Sequence, residues 1–467
     1  MIQNITNPLW ENSPLDVLDE IKEETEKGLT LQLIREYQIK YGNGSWSENV
    51  LVPYKIGKEI HNLIIINHPK DAERLANNHI NKMSNLKPFV FDSIISTTDK
   101  THWREQRRDF QPAFSVPDKI EKIIPISCGR ANNCVNTLWS LSENGGKEVN
   151  LSEFLLNETH AQLQLAMFGF SEDFEKNTNQ EIRDMFNKYN PRTVNSTIGK
   201  LMEEIKKSNG PISQVINERR NHNTKREHIG NGLIFSYAGH DTTGNTLTFL
   251  IYELCKKPEW QDKLREEVNK FWICQSENVI TYKDFKRLPF MTRCIMETLR
   301  LWPSLANGTF RVLDNEDTIK GKNGEDVILP SGTFIQIPNW FRHRNPELWG
   351  EDVNEFNPER EFKDEELWEG SVINTYNPST ERFSPFTFGP RDCIGKNFSQ
   401  MEMRVILLHL LQSYQFELTP EQEEVDENKF IFNKFTMGPR NIKNVSDKEN
   451  NLGLFVKVKR ISLHSKL

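Results

Sequence analysis

The chain has 467 residues, with 59 Lys plus Arg set against 66 Asp plus Glu and a formal net charge of −7. Charges of both signs are interspersed and no basic run occurs, which excludes the electrostatic footprint of a nucleic-acid binder. Six cysteines (Cys128, Cys134, Cys255, Cys274, Cys294 and Cys393) contain no Cys-x-x-Cys pair; this offers neither a disulfide framework nor a zinc site and fits a reducing compartment.

The N-terminal stretch Met1–Glu11 has no basic segment and no long apolar run, and the longest early apolar run, Leu63–Ile66, is strand-sized. Neither a signal peptide nor a membrane anchor is expected, so the chain reads as cytoplasmic, soluble or peripherally attached. Residues 50–66 read as a short β region, and from Trp103 onward helical periodicity dominates. Trp103 and Arg107, four apart on one helix face, present an indole N–H and a guanidinium that suit an anion.

After Phe170 the interval Ser171–Arg226 is polar. Asn177–Gln180 and Asn217–Lys225 are expected to be loops. Glu227–Lys257 is apolar nearly all round and predicts a buried helix. Roughly 30 helical residues span about 45 Å, a length that needs a large body around it and favours one domain over residues 1–467. Inside this helix Ala238-Gly239-His240-Asp241-Thr242-Thr243 contains poor helix formers. The Thr242 hydroxyl can bond the Ala238 carbonyl and bend the helix, leaving a groove with a hydroxyl and a carboxylate beside it. His240 reads as a structural or surface histidine.

Glu297 and Arg300 lie three apart among apolar neighbours and predict a buried ion pair. Thr309–Arg311 and Val327–Pro338 read as strands, with a turn at Gly321–Gly324 between them. His343 reads as structural. Asn397–Tyr414 places Phe398, Met401, Val405, Leu408 and Leu411 on one helix face. Cys393 stands just before that helix. The helix N-terminus is expected to lower its thiol pKa, Gly395 lets a flat group approach the backbone, and Arg391 can fork onto a carboxylate.

The stretch Phe386-x-x-Gly389-x-Arg391-x-Cys393-x-Gly395 resembles the haem signature of the cytochrome P-450 superfamily at every fixed position. The resemblance implies a mainly α fold with small β-sheets and a long central helix over a haem b, whose iron takes the Cys393 thiolate as axial ligand. It implies cofactor contacts from Phe386, Gly389, Arg391, Gly395, Ala238 and Gly239, with Trp103, Arg107 and Arg311 toward the propionates. Thr242 and Asp241 are implied as the catalytic pair that delivers protons during dioxygen cleavage. Phe356–Arg360 matches a further segment, so that Arg360 closes a structural triad with Glu297 and Arg300. A short lid around residues 171–226 departs from the family pattern.

The implied activity is insertion of one oxygen atom from O2 into a lipophilic small molecule. Phe89, Val90, Phe91, Ile94, Phe235, Leu305 and Phe310 are the apolar pocket candidates. The sequence contains no flavin- or nicotinamide-binding unit, so electrons are expected from a separate protein, a diflavin NADPH reductase or another donor. Rearrangement or dehydration of hydroperoxides and non-catalytic haem binding are the alternatives.

Overall fold

A computed structural model describes residues 4–187, 191–219, 224–275, 279–366, 379–423, 430–433, 436–440 and 453–461. It is mainly helical with small sheets, as the sequence predicts. The helices that frame the site are α1 (Pro69–Asn78), α2 (Lys100–Phe110), α3 (Glu121–Leu141), α4 (Leu151–Gln162), α5 (Glu172–Asn187), α6 (Pro191–Lys207), α7 (Pro211–Arg219), α8 (Lys225–Lys256), α9 (Pro289–Leu301) and α10 (Lys396–Ser413).

Strands β1 (Val50–Ile56) and β2 (Glu59–Ile65) form an antiparallel hairpin. Gly57 turns it with φ of +63°, a conformation that costs glycine nothing. β3 (Val149–Asn150) joins a separate sheet with β8 (Tyr414–Leu418) and β11 (Phe455–Arg460). β4 (Thr309–Val312) and β7 (Phe334–Ile337) complete the first sheet, in the order β1-β2-β7-β4. β5 (Asp317–Lys320) pairs with β6 (Asp326–Leu329), and β9 (Ile431–Asn433) with β10 (Met437–Pro439). The expected strand Val327–Pro338 is therefore two strands. Pro330 cannot donate to a ladder and Gly332 has φ of +83°, so the chain turns between them.

Helix α8 runs for 32 residues, about 48 Å at 1.5 Å per residue. The hydroxyl of its N-cap residue Thr224 accepts from the Glu227 N–H at 3.3 Å. Two glycines let α4 and the turn after it come close. A Cβ at Gly244 would stand 2.9 Å from Leu156 Cδ2, and one at Gly239 would stand 2.7 Å from Leu163 Cδ1. Toward its C-terminal end Phe249 stacks on Trp302 at 4.8 Å, and the Trp302 indole donates to Glu253 Oε1 at 2.7 Å.

The lid is helical, which corrects the loop expectation. Asn177–Gln180 lies inside α5, and Asn217–Arg219 inside α7; residues 220–223 lie outside the described residues. The apolar anchors are sparse but regularly spaced. Phe174, Ile182 and Met185 serve α5, with Val194, Ile198, Leu201 and Ile205 on α6. Such one-sided stripes hold a helix on a core even when the other face is wholly polar.

The predicted buried triad is formed. Arg300 donates to both Glu297 oxygens at 2.7 and 2.8 Å, and Arg360 Nε donates to Glu297 Oε1 at 3.0 Å. Arg300 also donates to the carbonyls of His343 and Val353, at 3.0 and 2.8 Å, so both buried charges are satisfied. His343 is structural: its ring accepts from the Ser384 N–H at 3.0 Å and donates to the Leu299 carbonyl at 3.3 Å. Burial holds it neutral, far below the ordinary histidine range. No described helix is long and apolar enough to cross a membrane.

Candidate active site

The cysteine loop is fixed by its own backbone. Cys393 N–H donates to the Phe386 carbonyl at 2.9 Å, and Asp392 N–H to the Gly389 carbonyl at 3.0 Å. Thr387 and Gly389 take left-handed φ values of +65° and +61°. A Cβ at Gly389 would also stand 2.5 Å from Asn77 Oδ1 on α1. Gly389 is thus required by the turn and its close approach to α1, a different reason from the expected cofactor contact. The Phe386 side chain joins the hydrophobic core while its carbonyl closes the loop.

Gly395, the N-cap residue of α10, sends its N–H to the Cys393 sulfur. The net effect on the thiol is opposite to the expectation. Burial pushes it up, and the Asp392 charge adds to the rise; the Gly395 N–H and the charges of Arg107 and Lys396 oppose both without overcoming them. A coordinating metal removes the thiol proton outright. Cys393 keeps an accessible surface even so. Both facts hold for a side chain that faces an internal space rather than bulk solvent. A Cβ at Gly395 would stand 4.0 Å from Cys393 Sγ and 3.8 Å from Phe114 Cε1. A side chain at position 395 would therefore lie beside the sulfur.

Two of the predicted arginines converge. Arg311 on β4 and Arg391 in the cysteine loop are buried, and Nε and Nη2 of Arg311 with Nε and Nη1 of Arg391 find no hydrogen-bond partner among the described residues. Burial lowers Arg391 to about 10; burial and then the Arg391 charge lower Arg311 to about 9. The Arg391 guanidinium lies 4.5 Å over the Trp103 ring, a cation–π contact that orients it. A third cation, Lys82, escaped sequence reasoning, because a lysine between Ile80 and Met83 has no motif around it. Its ammonium donates to Thr309 Oγ1 at 2.8 Å. Burial first, then the charges of Arg311 and Arg391, hold it well below the ordinary lysine range.

These three cations, two buried and Lys82 half-buried, repel one another, and none has a carboxylate partner among the described residues. Such a cluster demands a multivalent anion, and forked guanidinium donors match carboxylates. A haem with two propionates fits this donor set, the cysteine sulfur and the bare backbone at Gly395. Arg107, expected on a propionate, is instead engaged with Asp392: Nη1 donates to its carbonyl at 2.7 Å and Nη2 to Oδ1 at 2.6 Å. Lys396 Nζ holds the other carboxylate oxygen at 2.9 Å. Arg107 therefore pins α2 to the cysteine loop.

On α8 the Thr242 hydroxyl donates to the Ala238 carbonyl at 3.1 Å, as the sequence predicts. The Thr242 carbonyl accepts from Thr246 Oγ1 at 2.8 Å and Ser304 Oγ at 3.0 Å. Tyr237, Ala238, Gly239 and Thr242 are only half-buried in an otherwise buried stretch. Gly239 turns its bare Cα to Leu163, so packing requires a glycine there. Asp241 is buried; its carboxylate accepts from the hydroxyls of Thr436 and Tyr237, and burial raises its pKa above the usual range. His240 is buried too, with Nδ1–H donating to the Ser236 carbonyl at 2.7 Å, so its reading is structural. Phe114 and Phe110 meet Phe235 of α8 at 5.8 and 4.7 Å. That aromatic wall links the central helix to Gly395 and the cysteine loop. Of the pocket candidates, Phe89 is 59% exposed and does not line an interior.

The family profile described as Cytochrome P450 matches residues 54–226 and 212–444. The chain belongs to the cytochrome P450 family. Among similar proteins, cytochrome P450 3A12 of Canis lupus familiaris is 27% identical over 385 residues, covering 72% of this chain and 73% of that one. CYP13A7 of Caenorhabditis elegans is 37% identical over 202 residues, 43% of this chain and 35% of that one. The cytokinin hydroxylase of Arabidopsis thaliana is 36% identical over 185 residues, 40% of this chain and 32% of that one. The chain thus matches about a third of the length of the nematode and plant relatives.

Proposed function

We propose that this chain is a haem-thiolate monooxygenase that inserts one atom of O2 into a lipophilic small molecule. The observation that carries the reading is the cluster of Lys82, Arg311 and Arg391, without an acid partner among the described residues, beside the Cys393 loop. Cys393 would hold the iron, and the three cations would bind the two carboxylates of a haem b. When bound, this group supplies reductive activation of O2, one atom leaving as water. Phe110, Phe114 and Phe235 exclude bulk water. Thr242 keeps a hydroxyl at the half-buried face of α8, and Asp241, whose burial favours its protonated form, takes up and releases a proton next to it.

Electrons come from a diflavin NADPH reductase or another protein donor. Arg104 and Arg108 are exposed on α2, the helix that Arg107 fastens to the cysteine loop, and offer a cationic face to an acidic partner. The larger of two hydrophobic clusters draws on residues from Val17 to Val458, which supports a single domain over 1–467. Free cysteines throughout support a reducing, cytoplasmic location, either free or peripherally attached. A lipid panel screened for shifts of the haem absorption identifies the substrate class. With such a ligand, NADPH alone should give no product and an added diflavin reductase should restore it. Turnover of a lipid hydroperoxide with none under any reductase would contradict the reading and favour rearrangement.

A further inference from the structure

The carboxylate of Asp241 is buried beside Tyr237 and Thr436. It accepts hydrogen bonds from two hydroxyls: that of Tyr237, one turn back on α8, and that of Thr436, which comes from the far C-terminal part of the chain. Thr436 immediately precedes β10, and the next residue, Met437, donates its N–H to the Ser304 carbonyl at 2.9 Å. Ser304 Oγ in turn donates to the Thr242 carbonyl at 3.0 Å. The consecutive residues Thr436 and Met437 therefore hold both members of the Asp241–Thr242 pair, the acid directly and the alcohol's backbone through one serine. Asn433 on β9 ties the same hairpin to Asn307 at 3.1 Å.

We propose that Thr436 is a positioning residue for proton delivery: its hydroxyl fixes the Asp241 carboxylate, and the β9–β10 hairpin sets the geometry of the acid–alcohol pair. This rests on the reading of Asp241 as a proton carrier. Thr436 keeps its own proton. It donates to the ionised carboxylate and restricts the direction in which Asp241 can present a proton. The other groups that act on Asp241 are Tyr237 on its own helix and the positive charge of Arg183 on α5.

The test uses the full chain loaded with haem. An infrared difference between wild type and Asp241→Asn isolates the Asp241 carboxyl band, which is then followed against pH. Losing a donor to the ionised form favours the protonated form, so Thr436→Val should move the midpoint up by about one pH unit. Thr436→Ser should restore it, and Tyr237→Phe should shift it in the same direction. Oxygen consumption driven by NADPH and a diflavin reductase supplies the second readout. Thr436→Val should lower it and enlarge its solvent isotope effect, in the same sense as Asp241→Asn. An unmoved Asp241 band in Thr436→Val overturns the proposal while leaving the monooxygenase reading intact. A moved band with unchanged oxygen consumption in Asp241→Asn overturns the proton-carrier reading and with it any role for Thr436 in catalysis.

Discussion

At the scale of single residues, charge bookkeeping decides the account. Lys82, Arg311 and Arg391 bring three positive charges into a place where burial alone depresses each of them. Lys82→Met keeps the length of the side chain and removes one charge. A charge-assisted hydrogen bond is worth about 1.5–3 kcal/mol, so haem should be held roughly ten- to a hundredfold less tightly. Haem transfer to an apo-globin acceptor measures this, and unchanged transfer would remove Lys82 from the site. Thr242→Ala should leave haem binding and the absorption of the reduced carbon monoxide complex intact, because among the described residues Thr242 bonds only α8 and Ser304. It should lower the product formed per NADPH and raise released peroxide. General acid–base catalysis contributes about 10²–10⁴ in rate, so full coupling in this variant would reduce Gly239–Thr243 to a helix bend.

At the scale of elements, helix α10 carries a buried acid that the proposed chemistry does not use. Glu402 is fully buried, and among the described residues it has no ion-pair partner; only the Thr243 hydroxyl approaches it. Burial, with a smaller push from the Glu158 charge, raises its pKa well above 4.5. Between the unfolded and folded values the native state holds a proton that the unfolded chain has released. Its contribution therefore falls as pH rises through that window. Glu402→Gln has no such proton to lose. Its urea midpoint should gain on the wild type with rising pH, by up to about 1.4 kcal/mol per pH unit. A constant difference between pH 5 and pH 8 would contradict the burial argument.

Elements were unequally legible in the sequence. The central helix was read within two residues at either end, because apolar residues surround it and no other element type buries such a run. Two stretches of the lid, Asn177–Gln180 and Asn217–Lys225, were read as loops. Asn177-Thr-Asn-Gln lowers helix propensity, yet Asn179 is buried and meets His160 at 3.0 Å. Tertiary contact outweighed a local preference that amounts to a few tenths of a kcal/mol per residue.

At the scale of the whole molecule, a contiguous motif was legible and convergence in space was not. Phe386 to Gly395 could be read because one loop supplies both the sulfur and an arginine. Lys82 and Thr436 could not, since each gains its meaning from a partner far away in sequence, Thr309 and Asp241 respectively. Arg107 was visible as a cation four residues from Trp103, but its partner Asp392 is set by how α2 docks on the cysteine loop. The same docking puts the Arg391 guanidinium on the Trp103 ring.

The central claim is a haem held by the Cys393 thiolate. Purified protein should bind one haem, and its reduced carbon monoxide complex should show the red-shifted Soret band of a thiolate ligand. Cys393→Ala should abolish that band, while Cys128→Ala, far from the loop in sequence and placed on α3, should keep it. The same band surviving in Cys393→Ala would contradict the account, since another residue would then hold the iron.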